Sequence, residues 1–253
     1  MKYKKIKLVS IIGILILNFT CSCLAETVHV AVAANFTNAA KDIAKAFREK
    51  TGHEVILSFG ASGLLYTQIK EGAPFHVFLS ADKEFTQKLV EDNFGVATSR
   101  FTYAIGTLVL WSKKSDIILN EQVLKNGQFS RISIANPAIA PYGSAAIEVM
   151  TALKVYDSLK SRLVRGNSIS QAFQFIDTGN AEIGFVALSQ IIDRKDGIFW
   201  QIPQNLYTQI RQEAILLKSA EQNSAAKEFL VFLNGSAAHD LIRKYGYGIF
   251  TQQ

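Results

Sequence analysis

The sequence contains little cysteine, proline or histidine. Its 253 residues include two cysteines, four prolines and four histidines. Two cysteines cannot build a disulfide-rich scaffold, and four prolines with sixteen glycines exclude a collagen-like or broadly low-complexity chain. Apolar residues are abundant: 49% of the residues are hydrophobic and 19% are charged, which argues against global disorder. The length suits one compact unit or two smaller lobes with a sizeable core.

The first 25 residues have the pattern of a secretory signal peptide. Four lysines stand at the start, an apolar run follows at 8–17, and small residues end the segment. The run is too short to cross a bilayer core, which needs about 20 residues. We therefore predict that residues 1–25 are a signal peptide, cleaved after Ala25. A lipoprotein anchored at Cys23 is the alternative, although the residues before Cys23 match the usual apolar start of a lipobox poorly.

Removal of this segment would change both the charge and the thiol content of the chain. It holds four lysines, no acidic residue and both cysteines, Cys21 and Cys23, so the net charge would fall from +6 to +2. A chain without thiols has no cysteine nucleophile, thiolate metal site or internal disulfide. No lysine- or arginine-rich run remains beyond scattered pairs. The basic charge of the whole chain therefore gives no basis for nucleic-acid binding.

The sequence after residue 25 alternates short apolar runs with amphipathic stretches, which is typical of an α/β fold. Strands are predicted at 28–33, 55–59, 77–79, 132–135, 183–187, 200–202 and 214–217. Helices are predicted at 36–47, 64–69, 82–89, 144–150, 168–178, 220–233 and 237–244. The apolar run 103–111 is long enough to carry the chain from one lobe into another. No Gly/Ser/Pro-rich linker is present, so strands rather than a flexible tether would join the lobes.

Four predicted helix starts carry small or hydroxylic residues and no charged ones. They are AANFTNAA at 33–40, FGASG at 59–63, NPAIAPYGS at 136–144 and SISQ at 168–171. Taken singly, each has an ordinary structural interpretation as a cap, a turn or a rigid helix entry. Together they offer backbone N–H donors that favour an anion. Donors without acceptors suit a fully deprotonated tetrahedral dianion such as sulfate, molybdate or tungstate better than a partly protonated phosphate.

The same segments match no catalytic or nucleotide-binding motif. Segment 59–63 is too short for a P-loop and lacks its lysine, and it does not have the G-x-S-x-G form of a nucleophile elbow. Asp82 is interpreted as a helix cap, and no His/Cys/carboxylate cluster has the spacing of metal ligands. The four histidines lie outside the helix starts: His29, His53, His76 and His239. A hydrolase or lyase on the same fold, or an adhesion protein, remain alternatives to a non-enzymatic receptor.

Eight segments, taken in order, form a set that is more specific than any one of them. They are AANFTNA at 33–39, SFGAS at 58–62, IKEGAP at 69–74, FLSAD at 78–82, NP at 136–137, PYG at 141–143, IGFV at 183–186 and RKYG at 243–246. With this set the chain resembles the periplasmic molybdate-binding proteins of ABC importers. The resemblance covers nearly the whole sequence after residue 25.

The resemblance implies an α/β type II periplasmic-binding-protein fold, with two lobes joined by hinge strands and a ligand cleft between them. Lobe 1 would comprise 26–107 and 211–253, and lobe 2 would comprise 108–210. The implied function is capture of molybdate or tungstate and delivery to a membrane ABC permease, with another tetrahedral oxyanion such as sulfate as the alternative. The resemblance further implies a periplasmic monomer that is not an enzyme and has no cofactor and no nucleic-acid partner.

By the same resemblance, backbone amides and hydroxyls bind the oxyanion. Asn35 stands where the family has a small polar residue, with Ala34 contributing backbone. Ser62 stands at the family's serine, Tyr142 lies in the Pro-x-Gly loop, and Ile169 offers a backbone N–H near a helix start. These five residues would hold the oxygens of the ligand, with no protein atom bound directly to molybdenum or tungsten.

The chain departs from many relatives at one position. They have Gly-Ile-Val-Tyr where this chain has GFVA at 184–187, so a tyrosine hydroxyl is absent at Ala187. Other branches carry a tyrosine in the Pro-Tyr-Gly loop, as Tyr142 does here. The sequence leaves open whether Tyr142 supplies a hydroxyl, a backbone N–H or only a lid.

Overall fold

A computed structural model describes residues 25–250 of the chain. Cys21, Cys23 and all but the last residue of the predicted signal peptide lie outside this range, so their predictions concern residues the structure does not describe. Within 25–250, no helix combines the length and the apolar character that a membrane crossing requires.

The described chain forms two five-stranded sheets flanked by helices. The strands are β1 Thr27–Ala33, β2 Glu54–Gly60, β3 Val77–Ser80, β4 Phe101–Gly106, β5 Leu108–Ser112, β6 Ile132–Ala135, β7 Leu163–Gly166, β8 Ile183–Ala187, β9 Ile198–Gln201 and β10 Ile210–Leu216. The helices are α1 Thr37–Thr51, α2 Ser62–Lys70, α3 Glu84–Glu91, α4 Glu121–Asn126, α5 Pro141–Ala152, α6 Tyr156–Leu159, α7 Ile169–Asp177, α8 Ser224–Leu233 and α9 Ser236–Lys244.

The two sheets share one plan. The first has the order β2-β1-β3-β10-β4, with β1 parallel to β2 and β3, and β10 antiparallel to β3 and β4. The second has the order β7-β6-β8-β5-β9, with β6 parallel to β7 and β8, and β5 antiparallel to β8 and β9. Each sheet therefore has a parallel half whose strands end at a common edge.

The chain crosses between the sheets twice. Gly106 ends β4 in the first sheet and Leu108 begins β5 in the second, so Thr107 alone separates them. The return runs from the end of β9 to the start of β10. The first sheet with α1, α2, α3, α8 and α9 is called lobe 1 below, and the second sheet with α4 to α7 is called lobe 2. The predicted fold class, two α/β lobes joined by strands, is confirmed.

Apolar periodicity builds the core of lobe 1. On α1, Ala39, Ile43 and Phe47 recur every four residues and are fully or almost fully buried, as expected for one face of a helix. The Phe47 ring packs edge-on against two rings of α8, those of Phe229 and Phe232, with centroids 5.3 and 5.6 Å away. Such a face fixes α1 against the sheet and thereby fixes the loop that precedes it.

The core of lobe 2 continues across the boundary between the lobes. Its cluster of buried residues takes in four alanines from the strand ends of lobe 1: Ala33, Ala34, Ala61 and Ala81. Small side chains at these positions let the backbones of the two lobes approach closely. The structure therefore shows the lobes in contact, with the cleft closed.

Several element bounds differ from the sequence-based predictions, each for a local reason. Helix α5 begins at Pro141 rather than near residue 144, because proline is well suited to the first helical position. Helix α8 begins only at Ser224, where the side chain of Asn223 caps it by accepting from Ala226 N at 2.7 Å. The extended piece predicted at 200–202 is strand β9, four residues long and starting two residues earlier.

Three short elements of lobe 2 were not predicted. They are α4, α6 and β7, of six, four and four residues. Strand β7 reads Leu-Val-Arg-Gly and shows no alternation of apolar and polar residues. Its place in the sheet comes from pairing with β6 along its whole length, which is a tertiary contact that no local pattern encodes.

Candidate ligand-binding site

The carboxyl ends of parallel strands from both lobes meet at one cavity between them. Strands β1 and β2 lead into it from lobe 1, and β6 and β7 lead into it from lobe 2. Ligands of open α/β sheets bind outside these strand ends. The five predicted site residues all line this one cavity: Ala34, Asn35, Ser62, Tyr142 and Ile169. The other lining residues are Ala33, Gly60, Ala61, Ala81, Ala140 and Pro141.

The lining of this cavity is small and neutral. It contains five alanines and no charged side chain. The cavity leaves about 10 Å³ for the centre of a water-sized sphere, close to the minimum of about 10–15 Å³ that one enclosed water needs. Sites for drug-sized ligands are far larger, at about 300–1,000 Å³. The closed site therefore has no room for a sugar or a nucleotide.

Backbone N–H groups supply the polar character of the cavity. The amides of the five predicted residues stand at helix starts, where the first N–H groups have no intrahelical partner. None of these five amides has an acceptor among residues 25–250. The Ser62 hydroxyl accepts from Ala81 N at 2.9 Å, which leaves its proton for another acceptor. The geometry therefore gathers donors from two lobes around one small space.

The first turn of α5 presents a single free amide. Pro141 has no N–H, and the amides of Gly143 and Ser144 both donate to Ala140 O, at 2.8 and 3.2 Å. The N–H of Tyr142 is the one left without a partner in the described chain. The Tyr142 hydroxyl lies beside Gly106 and accepts from Gln212 Nε2 at 3.4 Å. Tyr142 thus brings both a backbone donor and a hydroxyl from lobe 2.

Asn35 contributes to the cavity through its backbone. Its side-chain Nδ2 donates to Gln212 Oε1 at 2.8 Å and to the Tyr247 hydroxyl at 3.1 Å. Its carbonyl oxygen accepts from the Ser189 hydroxyl at 2.9 Å. Both hydrogens of the amide nitrogen are therefore used within the protein, and the free donor of Asn35 is its N–H.

Helix α7 starts with the cap that the sequence predicts. The Ser168 hydroxyl accepts from Gln171 N at 3.2 Å. The Gln171 side chain accepts from Asn167 N, so the reciprocal bond of a capping box is made one residue earlier. This ordinary cap still leaves the Ile169 N–H beside the cavity. The start of α7 can therefore serve both as a capped helix end and as a source of a free amide for a ligand.

A group of buried, uncharged polar side chains behind the cavity was not predicted. We call it the buried polar cluster, and its members are Asn35, Tyr103, Tyr142, Ser189, Gln212 and Tyr247. Each is less than a tenth exposed. One signal in the sequence did exist: β10 carries Arg211, Gln212 and Glu213 among its apolar residues, and polar residues in a buried strand require partners.

Several hydrogen bonds cross directly between the lobes at the cavity. Gly63 N donates to Ile139 O at 2.9 Å. The Ser170 hydroxyl donates to Ala34 O at 3.3 Å, and the Ser189 hydroxyl donates to Asn35 O. These bonds exist only while the lobes are together, so they contribute to the closed state alone.

Asp82 lies in a second interlobe space that shares Ala81 and Pro141 with the cavity. It accepts from Phe85 N, in the first turn of α3, at 3.0 Å, which agrees with the predicted capping role. Burial raises the pKa of this carboxyl to about 6, compared with an ordinary value of about 4. The folded protein therefore holds this proton more tightly than the unfolded chain does.

This proton gives a testable pH dependence. We expect the contribution of Asp82 to stability to fall as pH rises from about 4 to about 6, because the unfolded chain ionises first. The Asp82→Asn variant keeps an acceptor for Phe85 N and loses the titration. The free energy of unfolding is measured with denaturant at pH 4.5 and at pH 7. Between these two values it should fall less, or rise more, in the variant than in the original chain. Parallel pH profiles would contradict the assignment.

Metal ligation finds no support in this part of the chain. Among residues 25–250, no group of three or more His, Cys, Asp or Glu side chains is placed to hold a metal ion. The cavity itself offers amides, a serine hydroxyl and alanine methyl groups.

Two α/β lobes closed around one small donor-lined cavity define a protein that encloses a small solute. A family model described as bacterial extracellular solute-binding protein matches residues 28–248, and the chain belongs to this family. It is 49% identical to the molybdate-binding protein ModA of Rhodobacter capsulatus, over 92% of each chain. It is 50% identical to the ModA protein of Azotobacter vinelandii, over 90% of this chain and 92% of that protein.

The fold agrees with solved structures of such proteins. The structure of the Azotobacter vinelandii periplasmic molybdate-binding protein matches with a TM-score of 0.86 and 40% identity, over 88% of this chain and 100% of that chain. The sulfate-binding protein SubI of Mycobacterium tuberculosis matches with a TM-score of 0.72 at 14% identity, which supports the shared fold alone. These relatives are solute-binding proteins rather than enzymes.

Proposed function

We propose that this protein captures molybdate or tungstate between its two lobes and delivers it to a membrane ABC permease. One observation carries the proposal: five backbone amides and the Ser62 hydroxyl, from both lobes, converge on one small cavity without a charged side chain. The proposal includes no catalytic step and no cofactor. The oxyanion is the cargo, held through its oxygens by Ala34, Asn35, Ser62, Tyr142 and Ile169.

The chemistry of the donors supports a dianion. Molybdate, tungstate and sulfate are fully deprotonated at neutral pH and need only donors, whereas a partly protonated phosphate also needs an acceptor for its proton. The cavity has no carboxylate in its lining. The helix starts add the positive ends of their peptide dipoles. Neutral donors in a dry site thereby offset the negative charge of the ligand.

Closure explains how capture is coupled to affinity. Ala34, Asn35 and Ser62 belong to lobe 1, whereas Tyr142 and Ile169 belong to lobe 2. A ligand contacts the whole set only when the lobes are together, so it shifts the population towards the closed state. The crossings at Thr107 and between β9 and β10 are the places where the chain must bend.

The relatives favour molybdate over sulfate. Two proteins about 50% identical to this chain are named as molybdate-binding, whereas the similarity to a sulfate-binding protein is limited to the fold. We propose a periplasmic monomer with the lobe bounds predicted from the sequence, 26–107 with 211–253, and 108–210. The sheet memberships of the strands support these bounds.

Isothermal titration of the protein, expressed from its full sequence, tests the proposal. We expect saturable binding of one molybdate per chain, competition by tungstate, and weak or no binding of sulfate and phosphate. Sulfate binding as tight as molybdate binding would contradict the choice of ligand. A protein that binds none of the four anions would contradict the function.

The Ser62 hydroxyl gives a prediction about the affinity for molybdate. We expect Ser62→Ala to weaken molybdate binding about tenfold to a hundredfold, because a hydrogen bond to a charged group is worth about 1.5–3 kcal/mol. Ser224 offers a matched control, since its exposed hydroxyl bonds to Glu26 far from the cavity. Titration of both alanine variants measures the difference. Equal affinities would remove Ser62 from the site.

A further inference from the structure

The buried polar cluster joins the two halves of the cavity from behind. Gln212, on β10, is fully buried at its centre. It bonds to Asn35, which lies on the lobe 1 side of the cavity, and to Tyr142, which lies on the lobe 2 side. Gln212 does not itself line the cavity. It is therefore the one side chain of the cluster that contacts two cavity residues from opposite lobes.

The orientation of the Gln212 amide is fixed by its neighbours. Its Oε1 accepts from Asn35 Nδ2 at 2.8 Å. It also lies 3.1 Å from the Tyr103 hydroxyl, whose single proton is shared with Ser80 O at 3.2 Å. An amide oxygen held on the Asn35 side leaves the amide nitrogen on the other side. That nitrogen faces the Tyr142 hydroxyl at 3.4 Å, so the direction of the bond between Gln212 and Tyr142 follows from Asn35.

This direction decides what the Tyr142 hydroxyl can do. Because Gln212 donates to it, the hydroxyl oxygen acts as an acceptor and keeps its own proton free. That proton has no acceptor among residues 25–250. Burial raises the pKa of the phenol well above its usual range, so the proton stays in place. The bond to Gln212 therefore holds the side chain of Tyr142, a residue whose free backbone amide lines the cavity.

We propose that Gln212 is a positioning residue that determines anion affinity, because from behind the cavity it holds Tyr142 and Asn35, which offer backbone amides from opposite lobes. This inference rests on the proposed function, because it concerns the same oxyanion. The residue acts without contacting the ligand. It also links lobe 1 to lobe 2 at the closed cleft, so its bond to Tyr142 is formed in the state that binds.

A double-mutant cycle separates this role from simple packing. Gln212→Met keeps the length of the side chain and removes its hydrogen bonds, and Tyr142→Phe removes the hydroxyl. We expect each single variant to raise the Kd for molybdate about tenfold. We expect the double variant to have a Kd close to that of the weaker-binding single variant, since both changes remove the same hydrogen bond. Gln201→Met, at an exposed position in β9, is the matched control.

A charge variant gives a second readout that packing alone would not move. In Gln212→Glu, a protonated carboxyl can still donate to Tyr142 and accept from Asn35 and Tyr103. The ionised carboxylate can only accept, so it accepts a hydrogen bond from the Tyr142 hydroxyl and adds a negative charge near the ligand. We expect affinity close to that of the original chain at pH 5 and at least tenfold weaker binding at pH 8.

Other titratable groups near Gln212 do not obscure this pH dependence. They are the phenols of Tyr103, Tyr142 and Tyr247, whose pKa values burial raises, and the carboxyl of Asp82 near Tyr103. Arg211 and Glu213 adjoin Gln212 on β10, and Glu213 pairs with Arg100 at 2.8 Å. Asp82 titrates in the original chain as well. The ratio of the two Kd values at each pH therefore isolates the introduced carboxyl.

The outcomes distinguish the two proposals. If the original chain binds molybdate and Gln212→Met binds it equally well, the role of Gln212 is overturned and the proposed function stands. Multiplying effects in the double variant, or equal losses at pH 5 and pH 8 in Gln212→Glu, would likewise overturn the role. If the original chain binds no oxyanion, the proposed function fails and this inference fails with it.

Discussion

Replacing Gly143 with alanine is expected to destabilise the protein by about 3 kcal/mol or more, as severe overpacking against backbone does. A Cβ atom at this position would overlap the carbonyl oxygen of Ala135 and stand 2.8 Å from its carbon. The obstacle is the end of β6, where Ala135 is fully buried and paired with Gly166 of β7. The gain of about 1 kcal/mol that alanine brings to a helix is too small to offset the clash.

The same substitution should also weaken molybdate binding. Gly143 follows Tyr142, so any shift of α5 away from β6 displaces the free amide of that residue. Denaturant unfolding and titration of the Gly143→Ala variant measure the two effects. Gly235→Ala is the matched control, because a Cβ there would approach no atom closer than 3.2 Å. A Gly143 variant as stable as this control would show that α5 does not need the close approach.

The second large effect is expected at Gly63, where alanine should reduce affinity for molybdate by about tenfold to a hundredfold. A Cβ there would lie 3.0 Å from Ile139 Cα, across the lobe boundary, and 2.9 Å from the ring of Phe85. The atom of Phe85 is the far end of a side chain in the same lobe, whereas the Ile139 backbone can yield only if the lobes separate. Overpacking of about 1–3 kcal/mol then falls on the closed state alone.

This specificity for the closed state is what the measurement tests. In the absence of ligand, we expect the Gly63→Ala variant to unfold at a temperature near that of the original chain, since alanine favours the helix. The stabilisation that molybdate adds should shrink, because ligand stabilises by mass action on the binding state. Leu64→Ala, at the exposed neighbouring position, is the control. A Gly63 variant with unchanged affinity would show that closure leaves room for a methyl group.

The sequence predicted most of the architecture where the pattern was local. Strands β1, β6 and β8 have β-rich apolar runs, and α1 has a clear helical period, so these elements are present close to their predicted bounds. The apolar run 103–111 was correctly read as a crossing, although it consists of two strands rather than one. Strand β7 was missed because its pairing, and not its composition, makes it a strand.

The candidate site divides in the same way. The five lining residues were found because helix starts and a family resemblance are visible along the chain, and the structure places all five at one cavity. Gln212 and Tyr247 were missed because they reach the site from 177 and 212 positions beyond Asn35. The sequence also does not show that the Asn35 side chain donates to Gln212 and Tyr247, because the direction of a hydrogen bond depends on which groups the fold brings together.

The uncharged lining of the cavity has a consequence for the surroundings in which the protein works. Attraction between exposed ions weakens within about 8–10 Å at moderate ionic strength, because mobile ions screen it. Here the ligand would be held by backbone dipoles in an enclosed space that dissolved ions do not enter with it. A receptor built this way retains its affinity when the salinity outside the cell rises. It also releases its cargo by opening the lobes, without having to break a direct ion pair.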